Sequence, residues 1–124
     1  MLTYSEDAAT RTAEIIVDGR ITREDFDTIA PQIEAFVDAH APIGFVEVIH
    51  RFDGFEASLL WDGIKLDRRL LPHIEKVAVV GDQGWLTPIS KAAGAVLSTK
   101  LRTFALADLE DARAWARRRD MPEG

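Results

Sequence analysis

Val77-Ala78-Val79-Val80-Gly81-Asp82-Gln83-Gly84-Trp85 decides the fold: a short apolar run meets a glycine turn and then the head of an amphipathic repeat. Four apolar residues closed by glycine predict a strand buried on both faces. Trp85, Ile89, Ala92, Ala93 and Val96 then recur at helical spacing, so a helix is expected after the turn. Strand, turn and helix make half of a parallel βαβ unit. Downstream, residues 101–106 supply another strand, and Asp108 is placed to cap a last helix with Leu109, Ala112, Trp115 and Ala116 on one face.

The same grammar runs upstream. Ala13 to Asp18 is β-branched and apolar and stops at Gly19, and a shorter strand around residues 2–5 is expected to pair with it as a hairpin. Thr22 can cap the next helix, with Asp25 three residues on as a carboxylate variant of the capping box. Phe26, Ile29, Ile33, Phe36 and Val37 mark the buried face of that helix. Pro31 falls inside it and predicts a kink or two abutting short helices. Residues 43–52 read as a second core strand ending at Asp53-Gly54, followed by a helix over residues 55–71 that Pro72 closes. The order is β-β-α-β-α-β-α-β-α, which predicts an α/β sandwich on a largely parallel sheet. Ile15, Val17, Val46, Val48, Val77, Val79 and Phe104 are its expected core.

A chain of 124 residues suffices for one domain, expected over residues 1–120, with a loose tail at 121–124. With 47% hydrophobic and 29% charged residues the composition is that of a globular protein, not a disordered one. Cysteine is absent, which removes disulfides, thiolate metal sites and cysteine nucleophiles. The N-terminus lacks a basic region followed by an apolar run, and no stretch approaches the length of a membrane span, so a cytoplasmic setting is expected. A net charge of −6 repels nucleic acid. The cluster Arg113, Arg117, Arg118 and Arg119 is read as cations favouring the negative end of a terminal helix.

Several pieces, taken in order, resemble the SpoIIAA-like family. They are Gly19-Arg20-Ile21-Thr22 followed by Asp25-Phe26 and Pro31; Trp61 with Lys65 and His73; Val77 to Asp82 with Trp85; Phe104; and Ala112 with Trp115. The resemblance implies a STAS-like fold, similar to anti-sigma-factor antagonists and to the lipid-carrying CRAL-TRIO fold. It implies a mixed, largely parallel sheet of about five strands flanked by about four helices, and a regulatory or ligand-binding module with no established reaction. In the antagonists a phosphorylatable serine opens the helix after the third strand. Here that junction reads Asp53-Gly54-Phe55-Glu56-Ala57-Ser58, which places Ser58 about one turn inside the expected helix, so the phosphorylation switch is not expected to carry over.

Motifs for catalysis are missing: there is no G-x-S-x-G elbow, phosphate loop, H-E-x-x-H or complete G-x-G-x-x-G. His50 with Glu47 and Asp53 is the nearest approach to a ligand set, and a solvated strand end explains it as well. Gly81 and Gly84 could bring backbone donors to an anion, but glycines also serve plain turns and Asp82 would repel a phosphate. No catalytic residue, metal or cofactor is expected.

Binding has more to draw on. Lys65 and His73 flank the run Asp67-Arg68-Arg69, and with Trp61 and Trp85 they could form a polar head site over an apolar pocket; alternatively the tryptophans fill core space and Lys65 is solvated. Residues 57–71 carry two apolar stripes. Ala57, Leu60, Trp61, Ile64 and Leu71 share one helical face, and Leu59, Leu66 and Leu70 lie nearly opposite. A continuous helix packed on the first stripe would leave Leu59, Leu66 and Leu70 facing a membrane or a partner, whereas a break at Gly63 would turn both inward. The expected role is binding in regulation, with a homodimer or a regulatory protein as partner. The alternative is a carrier or sensor of an apolar ligand, peripherally attached to membranes through this helix.

Overall fold

The structure is a computed structural model that describes residues 1–82 and 101–118. One sheet of five strands carries the molecule, in the spatial order β1 (Leu2–Asp7), β2 (Thr12–Ile21), β3 (Ile43–Phe55), β4 (Ile74–Val80), β5 (Leu101–Phe104). β1 pairs antiparallel with β2 as a hairpin, and every later pairing is parallel. Three helices accompany it among the described residues: α1 (Arg23–His40), α2 (Leu59–Leu70) and α3 (Leu109–Arg117). The helix expected from Trp85, Gly84 of the glycine turn and the tail at 121–124 lie outside the described residues.

Alternation along the strands divides the core into two layers. Ala13, Ile43, Phe45 and Ile74 meet Ile29, Ile33, Phe36 and Val37 of α1 and Leu70 of α2 on one face. Val46, Val48, Ala78 and Val80 meet Ala112 and Ala116 of α3 on the other. The expected core residues all belong to these layers or to a smaller cluster of Val17, Ile49 and Val79 on the α1/α2 face, with Ile15, Val77 and Phe104 partly buried. Lys76 ties α3 down: its ammonium donates to the carbonyls of Trp115 (3.2 Å) and Arg118 (2.5 Å) and stands 4.9 Å from the Trp115 ring centroid. Cations at a helix C-terminus satisfy orphan carbonyls and oppose the dipole.

The capping box is present. The Asp25 backbone N–H donates to Thr22 Oγ1 and the Thr22 backbone N–H donates to Asp25 Oδ2, both at 3.1 Å. From there α1 runs as one helix through Pro31, where two abutting helices were one alternative. Its apolar face spans both sides of the proline and keeps the two halves on the same sheet. Asp108 occupies the N-cap of α3, after a 3-10 turn at Leu106–Asp108, but its side chain makes no capping bond.

Two expectations fail at the β3–α2 junction. The strand does not stop at Asp53-Gly54; it continues to Phe55, which pairs with Ile21, and the Glu56 N–H donates to the Ile21 carbonyl at 3.1 Å. Gly54 accommodates this with φ +98°, a conformation glycine adopts without strain. The Glu56 carboxylate then accepts from the Arg23 backbone N–H, holding the turn so that α2 begins only at Leu59. Ser58 therefore sits at the helix N-cap and not one turn inside. Its side chain makes no capping bond, and its carbonyl accepts from Arg23 Nη2 at 3.0 Å.

The second correction concerns which side of α2 is buried. The helix is continuous through Gly63, and Leu59 and Leu70 are 4% and 6% exposed, with Leu66 packed against the same core. Leu59, Leu66 and Leu70 therefore face the sheet, not a membrane or a partner. Leu60 and Trp61, at 56% and 61%, point outward. Ion pairs to α1 set this rotation: Arg23–Asp62 at 2.7 Å and Arg69–Glu34 at 2.8 Å. Turning the other stripe inward would break both and bring Arg68 toward the apolar layer, where an unpaired guanidinium is costly.

Candidate functional site: a cavity beneath α2

The inward rotation of α2 leaves space below it. Between α2 and the sheet lies a cavity of about 380 Å³ walled mainly by apolar side chains, among them Phe45, Leu66, Leu70, Ile74 and Val77. A second hollow of about 210 Å³ reaches toward Leu2, Val17 and Ile21. Both are bordered by Ile15, Ile33, Leu66, Glu47 and Asp67, so the two form a trough running under the helix. Ligand pockets are commonly of this size and are mostly apolar, with a few placed polar groups.

Here the charged groups are the two carboxylates. Glu47 sits in the central strand, in register with Ile15 of β2 and Val79 of β4. On its own face of β3 it alternates with Phe45 and Ile49, so the pleat points a carboxylate where an apolar side chain is the rule. It is partly buried and lines the cavity, whereas Asp67, at the rim, remains exposed to solvent. Burial, reinforced by the nearby charge of Asp67, pushes its pKa up to about 7, and burial raises Asp67 as well. Neither carboxylate enters any hydrogen bond or ion pair among the described residues. Desolvation disfavours the charged form of an acid, and a like charge nearby adds to it.

The residues expected to form a polar head site are not gathered here. Trp61 is on the outer side of α2. Lys65 borders a shallow groove between α1 and α2 beside Glu34, Asp62 and Arg69. His73 is exposed in the 3-10 turn Leu71–His73 beyond the other end of the helix, and Trp85 lies outside the described residues. Nor is Glu47 at a solvated strand end with His50: β3 continues for eight more residues to Phe55, and His50 is exposed at a register shift against β2. Gly81 donates its N–H to the Phe104 carbonyl at 3.0 Å, which commits it to the sheet. No group of three or more metal-ligating side chains occurs among the described residues, and none of the described helices is long and apolar enough to cross a membrane.

A signal for the site was present in the sequence. Glu47 interrupts the run Phe45-Val46-Glu47-Val48-Ile49, and a charge amid apolar residues in a strand buried on both faces has no solvent to turn to. Asp67 carried no comparable mark, because its role depends on the rotation of α2.

Sheet, crossovers and helices on both faces define a small α/β domain with a mixed five-stranded sheet. The SpoIIAA-like family profile matches residues 12–117, and the chain belongs to that family. Its fold is similar to the crystal structure of an uncharacterised protein of the DUF3478 family with a SpoIIAA-like fold from Shewanella loihica PV-4. The two share 19% identity at a TM-score of 0.73, over 94% of this chain and 92% of that one. No curated protein matches.

Proposed function

We propose that the protein is a non-catalytic binding module that holds a small, largely apolar ligand beneath α2. The cavity of about 380 Å³ carries this reading: it lies against the central strands, where native packing normally leaves few voids larger than a water. Membership of the SpoIIAA-like family is in keeping with a module of this kind. Native mass spectrometry of the purified chain, searching for a retained molecule, tests it. The expected result is an adduct that disappears on denaturation and is lost in Leu66→Trp, which fills the space. A chain that carries no adduct and shows no melting shift with any apolar compound overturns the reading.

A second reading, docking of a second copy of the chain in regulation, draws on the outer side of α2. Leu60 and Trp61 there stand close in sequence to Phe52 and Phe55, which are 45% and 40% exposed with ring centroids 6.3 Å apart. Sedimentation of Leu60→Ser/Trp61→Ser against the parent chain tests it, with loss of self-association the expected result and an unchanged monomer in both the refuting one.

A further inference from the structure

The cavity beneath α2 presents two carboxylates that no cation answers among the described residues. Glu47 rises from the floor and Asp67 borders the opposite wall, and both line both hollows. Arg68, next to Asp67 in the chain, is exposed on the surface of α2, and the other nearby cations of α1 and α2 are engaged elsewhere. Arg69 binds Glu34, Arg23 binds Asp62, and Lys65 borders the groove toward α1. The other strand glutamate that points into a core layer is treated differently: Glu14, on the α3 face, is held by Arg113 at 2.8 Å. A carboxylate left without a partner in an apolar wall raises the free energy of the empty state, and a cation brought by a ligand removes that cost.

We propose that the occupant of this cavity is an organic cation: an apolar body bearing one protonated amine, whose nitrogen is received between Glu47 and Asp67. This rests on the reading of the cavity as a ligand site and goes further by naming the head group. An amphipathic carboxylate of the same length would bring a further negative charge to two carboxyl groups whose charged forms are already disfavoured. A neutral alcohol would gain the apolar contacts and leave both carboxylates unanswered. The partial burial of Glu47 strengthens the discrimination, because an ion pair there is screened less than one at the open surface.

The test is isothermal titration calorimetry of the whole chain near neutral pH with octylammonium, octanol and octanoate, each below its micelle concentration. Octylammonium is expected to bind at least about tenfold more tightly than octanol, the scale of one charge-assisted hydrogen bond, with octanoate weakest. Glu47→Gln and Asp67→Asn should each remove most of that preference while leaving octanol unchanged. Equal affinity for octylammonium and octanol, tightest binding of octanoate, or an amine preference that survives both substitutions overturns the cation proposal and leaves an apolar ligand site standing. Failure of all three probes to bind overturns the ligand site itself, and the proposal with it. The comparison of probes on the parent chain decides the matter even if a variant does not fold.

Discussion

Arg113 of α3 reaches back 99 positions to Glu14 of β2 and takes both carboxylate oxygens in a fork, Nε and Nη2 each at 2.8 Å. Its remaining Nη1 donates to Glu110 at 2.5 Å. The side chains of Arg113 and Glu14 are only 26% and 14% exposed, so this pair is sheltered, planar and charge-assisted, the geometry in which arginine is not replaceable by lysine.

Replacing Arg113 by alanine should therefore destabilise the fold by about 2 to 3 kcal/mol, since it strands Glu14 against the α3 layer. Arg113→Lys should recover less than half of this. Urea denaturation of both variants, with Glu14→Gln and the double variant completing a cycle, measures the coupling. A coupling near zero would mean that the fork is ornamental.

The pH dependence of stability should carry the mark of Glu47. Its carboxyl titrates near 4.5 when unperturbed and at about 7 in the fold, so between those values the native state holds a proton that the unfolded chain releases. Stability from this group is complete below about pH 4.5 and is lost as pH rises through about 7. Relative to Glu47→Gln, the parent chain should lose up to about 3 kcal/mol across that window. Asp67 is the charged group that opposes Glu47 across the cavity, and Asp67→Asn should narrow the difference. A gap between parent and Glu47→Gln that stays constant with pH excludes a raised carboxyl.

The two stripes of α2 should behave oppositely. Changing Leu59, Leu66 and Leu70 together to serine removes three inward leucines and should abolish cooperative thermal unfolding, each buried leucine being worth about 2 kcal/mol or more. Changing Leu60 and Trp61 to serine should leave the melting temperature within a few degrees of the parent. Equal melting of the two variants would reverse the assigned rotation.

Backbone geometry supplies a further check. Gly19 lies inside β2 at φ +102°, and a Cβ built there would stand 3.1 Å from Arg51 Nη2. Gly19→Ala should cost about 1 kcal/mol or more through left-handed strain alone. Thr22→Ala, which empties the capping box, should cost about 1 kcal/mol. Equilibrium denaturation reads both, and a neutral Gly19→Ala would show that the strand relaxes at that point.

Features encoded by neighbours in the chain could be read from the sequence, and features set across the fold could not. Thr22 and Asp25 are three residues apart and meet as expected, and the strands around Val17, Val46 and Val79 follow from their own apolar runs. The rotation of α2 depends on Asp62 finding Arg23 and Arg69 finding Glu34, partners 39 and 35 residues away, while the helix by itself offers two apolar stripes of similar strength. The candidate site inherits that ambiguity: a head site of Trp61 and Lys65 needs the stripe of Trp61 to face the pocket, and the rotation observed brings Asp67 to the cavity instead. The end of β3 was misplaced because Asp53-Gly54 looks like a turn, and only the pairing of Phe55 with Ile21 reveals that the strand continues.

Strand order in the sheet equals strand order in the chain, β1 through β5. No strand has to be threaded between two that are already paired, so the sheet can lengthen from one edge as the polypeptide emerges from the ribosome. Each addition meets a partner that is already waiting, and loop closure is short at every step. Among the hydrogen bonds of the described residues the fork from Arg113 to Glu14 reaches farthest along the chain, so the clasp that joins α3 to the second strand closes late in synthesis.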